Sequence, residues 1–197
     1  MHYYTNNIDA QSNEKELVNT LKGHHFTFKT DIGVFSKSDI DYGSKLLIET
    51  FIEPEVKGNF LDVGCGYGAI GLSLAKTYAD RQIHMVDVNL RALDLSLKNA
   101  QINRVLNVTI YESSCYEGVD GKFAAVLSNP PIRAGKKTVH TIIEEANDYL
   151  IEHGELWIVI QKKQGAPSAQ KKMIEVYGNC QVINKKKGYF ILMSKKD

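Results

Sequence analysis

The sequence predicts a doubly wound α/β protein, built on a mostly parallel, seven-stranded sheet that ends in a C-terminal antiparallel hairpin. Three observations carry that expectation. From Asn59 onward, short apolar strands alternate with helical segments, as parallel strands joined by crossover helices require. The first of these strands runs into a glycine-rich loop, Gly64-Cys65-Gly66-Tyr67-Gly68. The last two apolar runs flank Lys185-Lys186-Lys187-Gly188, which reads as the turn of a closing hairpin.

In chain order, Leu17, Val18 and Leu21 read as a short helical face, and residues 24–30 alternate in a β-like way through Phe26 and Phe28. Gly33 and Val34 follow an expected turn at Asp31. Ser44 to Ile52 reads as a helix with Leu46, Leu47 and Phe51 on its apolar stripe and Pro54 beyond its end. The regular part then comprises strands at 60–63, 82–88, 107–111, 123–127 and 155–160. Helices fall at 68–78, 90–102, 138–150 and 168–177, and the hairpin strands at 180–183 and 189–193. The whole chain is expected to form one domain, with residues 1–56 an N-terminal extension and residues 57–197 an α/β core.

The 197 residues suffice for a sizeable core. Apolar residues make up 43% and charged residues 24%, the balance of a soluble globular chain. Three cysteines, Cys65, Cys115 and Cys180, form neither a disulfide framework nor a metal-ligand spacing, so no metal is expected and a cytoplasmic setting is. No apolar run reaches the roughly 18–20 residues that span a bilayer, and the first residues do not resemble a signal peptide. A monomer is the expected state.

The glycine loop carries the first chemical argument. Gly66-x-Gly68-x-x-Gly71 satisfies a dinucleotide fingerprint, which alone is weak. Asp62 stands two residues before the first glycine, where a pyrophosphate would be repelled. A donor bearing a sulfonium and an ammonium, S-adenosylmethionine, is favoured there instead. Asp87 ends the next strand, where a carboxylate can accept both ribose hydroxyls. Asn89 is the better placed cap for the helix at Leu90.

Ser128-Asn129-Pro130-Pro131 carries the second argument. Two prolines fix the backbone and remove two N–H donors. The Asn129 amide and the Pro130 carbonyl can then each accept a proton of a planar amino group, favouring a pyramidal nitrogen whose lone pair faces a methyl donor. Without a visible acid and nucleophile partner for any histidine, hydrolase chemistry has no support. Cys65 reads as a small packed residue.

At these residues the chain resembles the class I S-adenosylmethionine-dependent methyltransferases, with their Rossmann-like fold. More narrowly it is similar to the small-subunit ribosomal RNA guanine-N2 methyltransferases, through Gly33-Val34-Phe35-Ser36, Ile40-Asp41-Tyr42-Gly43-Ser44, the glycine loop, Asp87-Val88-Asn89 and the Asn-Pro-Pro segment. The resemblance implies that Asp62, Gly64, Cys65, Gly66 and Gly68 surround the methionine part of the cofactor and that Asp87 and Val88 hold the ribose. Phe35, Asp41 and Gly43 would close over the cofactor, and Asn129, Pro130 and Pro131 would form the catalytic loop. Ser114 and Cys115 stand where many relatives carry an Asp or Asn for the adenine amino group. Ile132 replaces an aromatic found in adenine and glutamine methylases.

Net charge is only +1, so RNA binding must rest on local clusters. Arg133 and Lys136 follow the acceptor loop and are the expected substrate contacts. Further lysines cluster at Lys136-Lys137, Lys162-Lys163, Lys171-Lys172, Lys185 to Lys187 and Lys195-Lys196, and those around the active edge would engage phosphates. The expected reaction is methyl transfer to guanine N2 of small-subunit ribosomal RNA. Two alternatives stand beside it: N5-methylation of a protein glutamine, and a non-catalytic RNA-binding module of the same fold.

Overall fold

The computed structural model describes residues 13–31, 39–131 and 135–197. Gly33, Val34, Phe35, Ser36, Ile132 and Arg133 lie outside the described residues. The chain begins with an antiparallel hairpin of β1 (Lys15–Leu21) and β2 (His24–Thr30). The helical face expected at Leu17, Val18 and Leu21 is therefore wrong. Lys22 and Gly23 both hold positive φ, 45° and 78°, in the two-residue turn whose twist suits a hairpin. Side chains consequently alternate with period two: Leu21 is buried while Val18 is 71% exposed.

Helix α1 (Tyr42–Thr50) starts two residues before the expected Ser44, because Asp41 caps it, its Oδ2 accepting the Ser44 N–H at 3.0 Å. The regular α/β part follows as β3 (Asn59–Val63), α2 (Ala69–Thr77), β4 (Ile83–Asp87), α3 (Leu90–Ile102), β5 (Val108–Glu112) and β6 (Phe123–Ser128). It ends with α4 (Gly135–Tyr149), β7 (Leu150–Gln161), α5 (Ala166–Tyr177), β8 (Gln181–Lys186) and β9 (Tyr189–Lys195). A one-turn 3-10 segment, Lys162–Gln164, separates β7 from α5.

The strand order is β5-β4-β3-β6-β7-β9-β8, with β9 antiparallel to both its neighbours and the other pairings parallel. The expected seven-stranded sheet with a closing hairpin is the observed one. Chain order reverses between β3 and β6, so their carboxyl ends diverge into a crevice where ligands of such sheets bind. Strand alternation divides the core. Phe60 faces the layer of α1, α2 and α3, while Leu61 and Val63 face that of α4 and α5. The strand expected at 155–160 begins five residues earlier, with a register shift where Phe123 and Ala125 pair against β7 and with His153 at φ 62°.

Two asparagines dock the hairpin on α3. Asn99 accepts the Lys29 N–H at 2.6 Å and donates to the Lys29 carbonyl at 2.9 Å. Asn103 does the same with Thr27, at 2.9 and 2.8 Å. Four helical residues rise about 6 Å and two strand residues about 6.7 Å, so amides at i and i+4 match backbone groups at j and j+2. The outer edge of β2 is thereby paired by side chains, which also blunts an exposed edge. Arg81 secures the α1–β3 connection in a similar way. Its guanidinium pairs with Glu53 at 2.9 Å and donates to the Val56 and Gly58 carbonyls at 3.1 and 3.0 Å.

Candidate active site

Two cavities open at the carboxyl edge of the sheet. The larger, about 530 Å³, is within the range of small-molecule sites. Its wall includes Gly64, Cys65, Gly66 and Tyr67 of the loop after β3, Asp87 and Val88 after β4, and Ser114 and Cys115 after β5. Successive strand ends thus bring these residues, named from the sequence, to the wall of one cavity. The smaller, about 150 Å³, is walled by Pro130, Lys136, His140, Gln161, Gln164, Ser168 and Tyr189 among others. Asp41, Asn129 and Pro131 line both.

The glycine loop is built for close approach. Gly68 holds φ at +100°, and a Cβ there would stand 2.7 Å from Ser96 Oγ, so the turn into α2 admits no side chain. Gly71 lets α2 lie on β4, since a Cβ would come within 2.6 Å of Met85. At Gly64 a Cβ would meet nothing within 4 Å, which leaves an open cradle over the backbone. Asp87 braces this cradle: Oδ2 accepts the Gly66 N–H and Oδ1 the Asn89 N–H, both at 2.9 Å. Asn89 in turn caps α3 as expected, accepting from Arg91 and Ala92.

Three expected cofactor contacts do not reach either cavity. Asp62 is fully buried beneath the loop, where Oδ2 accepts the Gly71 N–H in the first turn of α2 at 2.9 Å. It satisfies an orphan donor of the helix terminus and ties β3 to α2, which explains an acid at the strand end without any ligand contact. Its Oδ1 has no hydrogen-bond partner among the described residues. Burial pushes its pKa up to about 7, the Gly71 N–H opposing and the Asp87 charge adding to the rise. Gly68 faces Ser96 and Leu72. Gly43 faces the ring of Tyr189, where a Cβ would approach to 2.8 Å. Cys65 does line the larger cavity, but burial raises its thiol pKa well above the ordinary value, which suits a packed residue.

At the boundary between the cavities, Asn129 Nδ2 donates to Asp41 Oδ2 at 2.8 Å and to Ser44 Oγ at 2.9 Å. A carboxylate can only accept, so the amide nitrogen must face Asp41. Both N–H groups are then engaged and Oδ1 is left as the acceptor. Ser128 anchors the segment from behind, donating to the Val63 carbonyl at 2.8 Å. Asp41, expected only to close over a cofactor, therefore sets which way the Asn129 amide is turned. Among the expected substrate contacts, Lys136 lies on the smaller cavity, and Arg133 is outside the described residues.

Sequence reasoning missed Ser44 and the far wall of the smaller cavity. Ser44 could have been found from the Asp41-x-x-Ser44 spacing, which is that of a helix cap. Gln161 and Gln164 bracket the turn after β7, and Tyr189 opens β9 opposite Gln161. Burial raises the Tyr189 pKa, with Gln161 opposing and Asp41 adding to the rise. His140 Nε2 lies 3.1 Å from Ser168 Oγ, and burial with nearby Lys136 and Lys172 holds its pKa below the usual value. Among the described residues no cluster of His, Cys, Asp or Glu could hold a metal ion, and no helix is long and apolar enough to cross a membrane.

Comparisons with known proteins agree with this geometry. A family model described as the methyltransferase small domain matches residues 25–193. The uncharacterized protein YbxB of Bacillus subtilis (strain 168) is 54% identical, over 99% of this chain and 98% of that one. The ribosomal RNA small subunit methyltransferase C of Vibrio parahaemolyticus is 32% identical, over 90% of this chain but only 51% of the relative. Among solved structures, a T. thermophilus 16S rRNA N2 methyltransferase in complex with AdoMet and guanosine shares the fold. Its TM-score is 0.84 at 23% identity, over 95% of this chain and 52% of that one. The chain spans about half the length of these RNA-methylating relatives and nearly all of the Bacillus one. With the family model covering most of its length and a relative 54% identical over 99% of it, this chain belongs to the methyltransferase small domain family.

Proposed function

We propose that this protein transfers the methyl group of S-adenosylmethionine to an exocyclic amino nitrogen, the N2 of a guanine in small-subunit ribosomal RNA. The observation that carries the reading is the shared wall: Asp41, Asn129 and Pro131 face both a nucleoside-sized cavity and a second cavity beside it. Donor and acceptor then meet at Asn129.

The residues present fit the donor. The open cradle over Gly64 accommodates a chain pressed against backbone, and Asp87, at a strand end, lines the same cavity. Val88, Ser114 and Cys115 flank the part beyond the ribose. When bound, S-adenosylmethionine supplies an electrophilic methyl group on a positively charged sulfur. Asn129 Oδ1 and the Pro130 carbonyl each accept one N–H of the acceptor amino group, which holds the nitrogen lone pair toward the larger cavity. Because Asp41 and Ser44 already occupy the Asn129 amide nitrogen, this acceptor is oriented before substrate arrives, so little reorganisation is needed during transfer. The acceptor nitrogen would gain the methyl group as the sulfur–methyl bond breaks, its electron pair staying on sulfur, and would lose one proton to solvent. The curated relatives named ribosomal RNA small subunit methyltransferase C support RNA of the small ribosomal subunit as the acceptor.

The direct test incubates the protein with labelled donor and unmodified small-subunit RNA and identifies the modified nucleoside by mass spectrometry. N2-methylguanosine is the expected product. Label appearing in a protein glutamine instead, or no donor binding at all, would replace this reading by one of its alternatives.

A further inference from the structure

The lysine groups separate in space. Lys57, Lys122 and Lys195 stand at the opposite edge of the sheet, beside the starts of β3 and β6 and at the end of antiparallel β9. Lys172 is held between Glu144 and Glu175, at 2.8 and 3.0 Å. Three groups, by contrast, gather at the edge that carries the cavities. Lys136 lies on the smaller cavity and Lys137 on the larger. Lys162 and Lys163 form the turn between cavity-lining Gln161 and Gln164. Lys185 to Lys187 lead into the β8–β9 turn, which is joined to that segment by the Lys162 N–H donating to the Gly188 carbonyl at 2.8 Å. Tyr189, the next residue, lines the smaller cavity.

All these rim lysines are exposed, and none of them forms an ion pair among the described residues. Lys187 Nζ lies 4.8 Å from the ring centroid of Tyr42, the residue beside Asp41, which places its charge near the mouth. Of the carboxylates at this edge, Asp41, Asp87 and Glu117 line the larger cavity. A net charge of only +1 makes this concentration a local feature.

We propose that the rim formed by Lys162, Lys163 and Lys185 to Lys187 docks the phosphate backbone of the RNA strand whose acceptor base enters the smaller cavity. This rests on the RNA reading above. Mobile point charges on flexible stems suit a flexible chain of phosphates, and their position at the cavity mouth fixes the strand beside the base.

The test measures binding of a small-subunit RNA fragment across a salt series. Three proteins are compared: the unaltered chain, a rim variant (Lys162→Ala with Lys186→Ala and Lys187→Ala) and a control (Lys57→Ala with Lys122→Ala and Lys195→Ala). Calorimetric affinity for S-adenosylmethionine reports folding in each and should be equal. The rim variant should lower the slope of log affinity against log salt by about 2, at roughly 0.7 per lost phosphate contact on a single strand, while the control keeps it. An unchanged slope in the rim variant, or an equal loss in the control, overturns the docking surface alone. An unaltered chain that binds no RNA, or prefers an acidic protein, overturns the acceptor reading together with it.

Discussion

Asp41 Oδ2 lies 2.8 Å from Asn129 Nδ2, joining the cap of α1 to the end of β6 across 88 positions of sequence. The same oxygen accepts the Ser44 N–H, so the α1 terminus, the amide and both cavities share one carboxylate. This contact makes the orientation of Asn129 a property of the fold, and it leads to the first prediction.

Asn129→Ala should lower kcat by about 10²–10³-fold, the range for loss of one preorganised polar contact at a reacting centre, while donor affinity stays within a few-fold. Asp41→Ala should also lower kcat, by roughly tenfold or more, because the amide is then free to turn. Steady-state kinetics with calorimetric donor binding separates the two quantities. Full activity in either variant would remove that residue from the assigned role.

Asp87→Ala should act on the donor instead. It removes a carboxylate that braces the loop through Gly66 and faces the cavity. Hydrogen bonds to a charged group contribute about 1.5–3 kcal/mol each, so donor affinity should fall by about 10- to 100-fold. Calorimetry of the variant and the unaltered protein checks this. An affinity within twofold of the original would refute the ribose assignment.

Asp62 makes a pH prediction. Its folded-state pKa of about 7 exceeds the ordinary value of 3.8, so the folded protein holds this proton more tightly than the unfolded chain does. The stability tied to this group is present below about pH 4, declines as pH rises toward 7 and is level above that. Asp62→Asn retains an acceptor for the Gly71 N–H and removes the titration. The variant should gain stability relative to the original across that window, by up to about 1.4 kcal/mol per pH unit. Urea unfolding at several pH values measures the difference, and two parallel curves would contradict it.

Asn99→Ala and Asn103→Ala should each destabilise the protein by about 1–3 kcal/mol, since each leaves a β2 N–H and carbonyl without their amide partner. Hydrogen exchange at the Lys29 and Thr27 amides should accelerate in the matching variant. Unaltered exchange at those two positions would show that the amides do not hold the hairpin.

Much of the fold was legible because its determinants are local. The apolar runs of β3 to β6, the cap at Asn89 and the glycine loop each act within a few residues, and the observed elements follow them. The hairpin at residues 15–30 was half misread because a short alternating run with two leucines and a valine satisfies helical and strand spacing alike. The positive φ of Lys22 and Gly23 resolved it.

The sequence by itself determined the element types from β3 onward, the mostly parallel sheet with its closing hairpin, and the residue kinds at each strand end, since periodicity and turn chemistry act along the chain. Tertiary structure alone decided that Asp62 is sealed beneath the loop, that Asp41 turns Asn129, and that Gln161 and Tyr189 complete the second cavity. Those outcomes depend on which segments meet across the sheet, and burial and hydrogen bonding between distant segments leave no trace in local spacing.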